Sequence, residues 1–179
     1  MERGREKVEG CVGCLPSEET KKDFGGSVWE GKFWRVSHCN GPFGEGTMVV
    51  EPIRHVARME DLSKSEETEM ITVFKDVSKV VREVTGAQRV YMEHWTHSPV
   101  QHAHWLFIPV TEELLQKYGG KKGPDLIEAM VVANVPLDKN VAADLSAKIG
   151  QRIKEHVEGR QNREKELWRA VARHTQKGG

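Results

Sequence analysis

One amphipathic segment constrains the architecture more than any other feature. Between Ser63 and Gly86 the apolar residues Met70, Val73, Phe74, Val77, Val80, Val81 and Val84 recur at intervals of three and four, which places them on one face of a helix. Ser63 and Ser65 are candidate N-caps with acidic residues in the next turn, and Gly86 is a stop. The segments on either side read as strands. Ser27–Glu30 and Phe33–His38 flank a Gly31-Lys32 turn, the pattern of a hairpin. Cys39–Gly46 is a loop rich in glycine, and Thr47–Pro52 is a third strand stopped by Pro52. After the helix, Ala87–Trp95 and His102–Pro109 read as the fourth and fifth strands, with His97-Ser98-Pro99 as the turn between them.

The last third differs in character. Glu112–Tyr118 and Pro124–Ala133 read as short helices. Val141–Val157 carries Val141, Leu145, Ile149, Ile153 and Val157 in a strict i+4 stripe, and the charged segment Gln161–Thr175 reads as a surface helix or a frayed tail. The expected fold class is α+β: an antiparallel five-stranded sheet, one long helix between strands, and a helical C-terminal extension. The expected organisation is an N-terminal segment over residues 1–26, a core over 27–118 and the extension over 119–179.

Composition narrows the function classes. The 179 residues amount to about one domain. Basic and acidic residues number 27 each, which argues against a dedicated electrostatic DNA binder and leaves room for a small anionic ligand. No apolar run approaches the roughly 20 residues of a membrane span, and the charged N-terminus lacks the apolar core of a secretory signal. Three cysteines are too few for a disulfide scaffold, so a cytoplasmic protein with reduced thiols is expected. In the charged C-terminal segment Arg160, Arg163, Lys165, Arg169 and Arg173 alternate with Glu158, Glu164 and Glu166, the pattern of a solvated face.

Two clusters carry chemistry. His102 and His104 alternate on the fifth strand, so both imidazoles share a face while Ala103, Trp105 and Phe107 take the other. That arrangement suits a site wall backed by core, and it also suits two ordinary half-exposed histidines. Cys11 and Cys14 have the C-x-x-C spacing of a metal clamp, which is equally the spacing of a redox pair.

Taken in order, Cys11-Val-Gly-Cys14, Pro52-Ile-Arg-His55-Val56, Asp61-Leu62 with its glutamate-rich helix start, and His102-Ala-His104-Trp-Leu106-Phe-Ile-Pro109 resemble the motifs of the histidine triad (HIT) superfamily over residues 11–110. The resemblance implies that His104, in the place of the middle histidine, is the nucleophile toward an α-phosphate, forming a nucleotidyl-histidine. It implies a structural zinc held by Cys11, Cys14, His55 and His102. It also implies a nucleotide or nucleotide-conjugate ligand and a homodimer, while the composition argues against membrane and nucleic acid as partners. One departure stands out: Leu106 occupies the third histidine's place, and leucine offers neither a hydrogen-bond donor nor charge to a phosphate. The hydroxyl residue that precedes the triad in the family is displaced, with Ser98 nearest. His38 stands where family members place a ribose-binding group, and Asn40 opens a loop able to offer backbone groups and, through Phe43, an aromatic wall. His97, with His94, Arg35 and Arg54, is a candidate to replace the lost phosphate contact.

Three functions remain open on sequence. The first is a hydrolase or nucleotidyltransferase working through His104. The second is a zinc-stabilised nucleotide-binding module with little catalysis because of Leu106. The third is an interaction or nucleic-acid accessory protein whose C-terminal helices meet a partner.

Overall fold

The computed structural model describes residues 7–95 and 99–175. Strands β1 (Ser27–Glu30), β2 (Trp34–His38), β3 (Met48–Pro52), β4 (Arg89–Glu93) and β5 (Trp105–Val110) form one sheet in the order β1-β2-β3-β5-β4, and every neighbouring pair is antiparallel. The helices are α1 (Ser17–Thr20), α2 (Lys64–Thr85), α3 (Glu112–Lys117), α4 (Pro124–Ala133) and α5 (Lys139–Thr175).

Helix α2 starts where its capping residues dictate. Ser63 accepts from the Glu66 amide while the Glu66 carboxylate accepts from the Ser63 amide, a capping box. Gly86, with φ 68°, ends the helix in the left-handed region that glycine enters at low cost. Met70, Val73, Val77, Val80 and Val81 are buried against Trp34 and Val36 of β2, Met48 and Val50 of β3, and Trp105 and Phe107 of β5. Trp34 anchors this layer. It is fully buried, meets Phe74 and Trp105 ring to ring, and donates its indole N–H to the Glu66 carbonyl at 2.9 Å. A buried indole that satisfies its single donor adds area without a desolvation cost.

The opposite face of the sheet has its own core. Val49, Leu106, Ile108 and Val110 pack with Leu126, Ile127 and Met130 of α4. The C-terminal helices therefore share both cores with the sheet, since Ile149 and Ile153 of α5 join the α2 side.

Two expectations are corrected. The stripe over 141–157 and the charged segment after it form a single helix, Lys139–Thr175, with no proline to interrupt them. The fifth strand begins at Trp105 rather than His102, so both histidines lie in the extended approach to it. That approach is still held, since the Ala103 amide donates to the Val56 carbonyl at 2.7 Å. No helix among the described residues is long and apolar enough to cross a membrane.

Candidate metal centre and adjoining cavity

Cys11 and Cys14 flank a 3-10 turn over Val12–Cys14 that folds back onto the mouth of β3 and the approach to β5. Four side chains converge there: the ligand atoms of Cys11, Cys14, His55 and His102 all lie within 4.8 Å of one another. Cys11 Sγ is 3.4 Å from His102 Nδ1, Cys14 Sγ is 3.4 Å from His55 Nδ1, and Cys14 Sγ is 3.8 Å from His102 Nδ1. A tetrahedral zinc with bonds of about 2.3 Å to sulfur and about 2.05 Å to nitrogen sets S···N edges of about 3.5 Å. Three of the cluster's four sulfur–nitrogen pairs lie at 3.4–3.8 Å, close to those edges.

The surroundings suit a metal as well. His102 donates from Nε2 to the Pro52 carbonyl at 3.0 Å, which leaves the Nδ1 lone pair for the metal. Burial holds the His102 imidazole below its usual pKa, so it stays neutral as a ligand must. Gly13 lies against this ring, and a Cβ there would come within 2.4 Å of it. The close approach of the turn to His102 therefore needs glycine.

Arg35, weighed on sequence as a phosphate contact, has a different position. It is buried, pairs with Glu51 across the strands at 2.9 Å, and donates to the carbonyls of Gly13 and Leu15. It therefore clamps the cysteine turn to the sheet. Arg54 is likewise engaged: it grips both Glu66 carboxylate oxygens at 2.6 and 2.7 Å and the Asp61 carbonyl at 2.8 Å, tying the His55 loop to the start of α2.

Beside the metal cluster opens a cavity of about 640 Å³. Its floor is Val49 and Glu51 of β3, His102, His104 and Leu106. One wall is the loop from Cys39 to Phe43, and Trp95 and Val131 close the far side. Phe43 and Trp95 lie 6.0 Å apart between ring centroids, an aromatic pair at the rim. His104 is half-buried in this floor and donates from Nδ1 to the His102 carbonyl at 2.9 Å. Its Nε2 is then the nitrogen with the free lone pair. His102 thus serves twice, its ring toward the cysteines and its carbonyl toward His104. His94 stacks on Trp105 at 4.4 Å and donates to the His104 carbonyl.

The remaining sequence candidates separate. Asn40 lines the cavity. His38 does not: it is fully buried, stacked on Phe24, and uses both ring nitrogens to hold the Cys39–Gly46 loop, donating to the Cys39 carbonyl and accepting from the Gly46 amide at 2.9 Å. Burial lowers its pKa and keeps the ring neutral. His97 and Ser98 lie outside the described residues. Leu106 is buried in the α4-side core and presents only hydrocarbon to the cavity. Sequence reasoning missed Lys21, which lines the cavity from the turn after α1, because nothing in its local pattern distinguishes it from other surface lysines.

Comparison with known proteins agrees with this fold. The chain's fold is shared by a hypothetical histidine triad nucleotide-binding protein from Sulfolobus tokodaii (TM-score 0.59, 18% identity, 81% of this chain and 93% of that one). It is shared by a uridylyltransferase (TM-score 0.59, 16% identity, 81% of this chain and 45% of that one). A HIT-like protein involved in cell-cycle regulation from Bartonella henselae gives a TM-score of 0.54 at 17% identity, covering 70% of this chain and 85% of that one. No curated protein matches the sequence. The family model described as "Protein similar to CwfJ C-terminal" matches residues 1–120, the span that contains the cysteine turn, the sheet and both histidines. The fold is that of these histidine triad proteins, and the chain belongs to the family of proteins similar to the CwfJ C-terminal region.

Proposed function

We propose that this protein is a nucleotide hydrolase or nucleotidyltransferase that acts at an α-phosphate through His104. The observation that carries the reading is the Nδ1 hydrogen bond from His104 to the His102 carbonyl, which fixes one tautomer and leaves Nε2 unprotonated at the cavity floor. Nε2 attacks the α-phosphorus, a P–N bond forms, and the bond to the leaving group breaks with its electron pair passing to that group, which takes its proton from solvent water. Water or another acceptor then attacks phosphorus and gives up its proton to solvent, the P–N bond breaks with its electron pair returning to Nε2, and the nucleotide leaves with His104 restored. The aromatic pair Phe43 and Trp95 is placed to flank a base, and Asn40 to offer its amide.

Zinc fits the Cys11, Cys14, His55 and His102 set, and when bound it supplies fixed geometry, because four protein ligands leave no position for a reacting water. These residues orient His104 through the shared His102.

A second reading rests on Leu106. Its buried hydrocarbon stands where a phosphate donor is expected, and losing one such donor typically costs about 10²–10³ in rate. A nucleotide-binding module with little turnover is the outcome if nothing compensates. Nucleoside phosphoramidates, dinucleoside polyphosphates and nucleotide sugars, followed by chromatography for nucleoside monophosphate, separate the two. Product from the parent and none from His104→Ala supports the enzyme. Thermal stabilisation by nucleotide without product supports the module.

A further inference from the structure

The proposed chemistry puts a phosphate in a cavity whose charges do not yet account for it. Glu51 lines the floor, but its carboxylate is paired with Arg35. Arg35 and Arg54, the arginines nearest the motifs, are committed to Glu51 and Glu66. Leu106 offers no donor. Among the described residues that line the cavity, Lys21 is the lysine or arginine. Its ammonium donates to the neutral amide of Asn40 at 3.1 Å, and Asn40 itself lines the cavity.

The lysine is positioned with care. Its backbone N–H donates to the Ser17 carbonyl at 2.8 Å, and its carbonyl accepts from the Phe24 and Gly26 amides at 2.8 and 2.9 Å. The segment around it is fastened at both ends. Arg35 holds the cysteine turn upstream at the carbonyls of Gly13 and Leu15. Downstream, Lys139 pairs with Asp23 at 2.6 Å and Ser146 donates to the Phe24 carbonyl at 2.7 Å, both from α5. A long side chain on a fixed backbone, hydrogen-bonded to a neutral amide and over a floor whose one carboxylate is neutralised, suits a phosphate anion.

We propose that Lys21, assisted by the Asn40 amide, is the phosphate-binding cation of this cavity and supplies the charge that Leu106 cannot. This rests on the nucleotide reading above. It also gives the metal turn and α5 a shared purpose, since both fix the segment that carries the lysine. An ammonium on a flexible stem can follow the phosphate as the P–N bond forms and breaks.

The test compares three probes on the metal-loaded protein by calorimetry: a nucleoside, its 5′-monophosphate and inorganic pyrophosphate. The parent is expected to bind the monophosphate more tightly than the nucleoside. Lys21→Met should erase that preference, weakening the monophosphate by about tenfold or more with nucleoside affinity unchanged, and Lys21→Arg should restore most of it. Unaltered thermal melting and metal content in Lys21→Met show that the fold is intact, as expected for a half-exposed side chain. A monophosphate preference that survives in Lys21→Met overturns the assignment and leaves the nucleotide reading standing. Pyrophosphate binding that depends on Lys21, with no nucleoside or nucleotide binding, supports the anion site and defeats the nucleotide reading. Binding of none of the three defeats both.

Discussion

At the scale of single residues, His102 and Gly13 decide the metal centre. His102 contributes a ring nitrogen to the cluster and its carbonyl to His104, so a change at the cluster is felt one hydrogen bond later at the proposed nucleophile. Gly13→Ala forces a methyl against the His102 ring, where a Cβ would come within 2.4 Å. Zinc affinity is expected to fall by about 10–100-fold, the usual effect of disturbing the groups around metal ligands, and competition with a colorimetric chelator measures it. Glu66 governs a different property. Burial alone would raise its carboxyl pKa, but Arg54 and Ser63 outweigh that and hold it below the ordinary value of 4.5. A depressed carboxyl stabilises the fold fully above its unfolded pKa, and that contribution is lost as pH falls through the folded one. Urea midpoints taken between about pH 6 and about pH 3 should therefore fall more steeply for the parent than for Glu66→Gln. Glu66→Gln should also cost about 2–3 kcal/mol near neutral pH, since it strips Arg54 of its charged partner.

At the scale of elements, the contact between α5 and β1 is a close helix-to-sheet approach that a glycine permits. A Cβ on Gly150 would stand 2.6 Å from the Val28 carbonyl oxygen, a backbone atom with no freedom to move aside. Gly150→Ala should destabilise by about 1–3 kcal/mol despite the better helix propensity of alanine, and a thermal melt reads the sign directly. The elements themselves were largely legible in the sequence. The α2 stripe, the Gly31-Lys32 hairpin turn and Pro124–Ala133 follow from spacing and turn chemistry, which act locally. The start of β5 was not legible, because His102-Ala-His104 alternates like a strand while its partners are the metal turn and the Val56 carbonyl. Nor was the continuity of α5, whose charged half has no stripe to mark it as helix. In the site, the four metal-ligand candidates could be assembled only through family resemblance, since up to 91 residues separate Cys11 from its neighbour His102. Lys21 escaped notice and Arg35 reads from sequence as a phosphate contact, because their roles are set by long-range contacts that leave no local pattern.

For the whole molecule, the N-terminal segment, the sheet and α5 form one mechanical chain. The metal turn is clamped by Arg35, the turn after α1 carries Lys21, and α5 holds the far end at Asp23 and Phe24. Stripping zinc with a strong chelator should lower the melting temperature by about 6–12 °C, corresponding to about 3 kcal/mol of linked binding energy for a chain of this size. It should weaken nucleoside monophosphate binding in the same titration, and re-addition of zinc should restore both. The account's central claim concerns His104, and a single-turnover reaction tests it most directly. Excess zinc-loaded protein is mixed with a radiolabelled nucleoside phosphoramidate, quenched in alkali to preserve P–N bonds, and analysed for protein-bound label and free nucleoside monophosphate. The account predicts label on the parent at His104, monophosphate released with time, and neither in His104→Ala. Monophosphate formed equally by His104→Ala, or none formed by the parent although it binds the nucleotide, would contradict it.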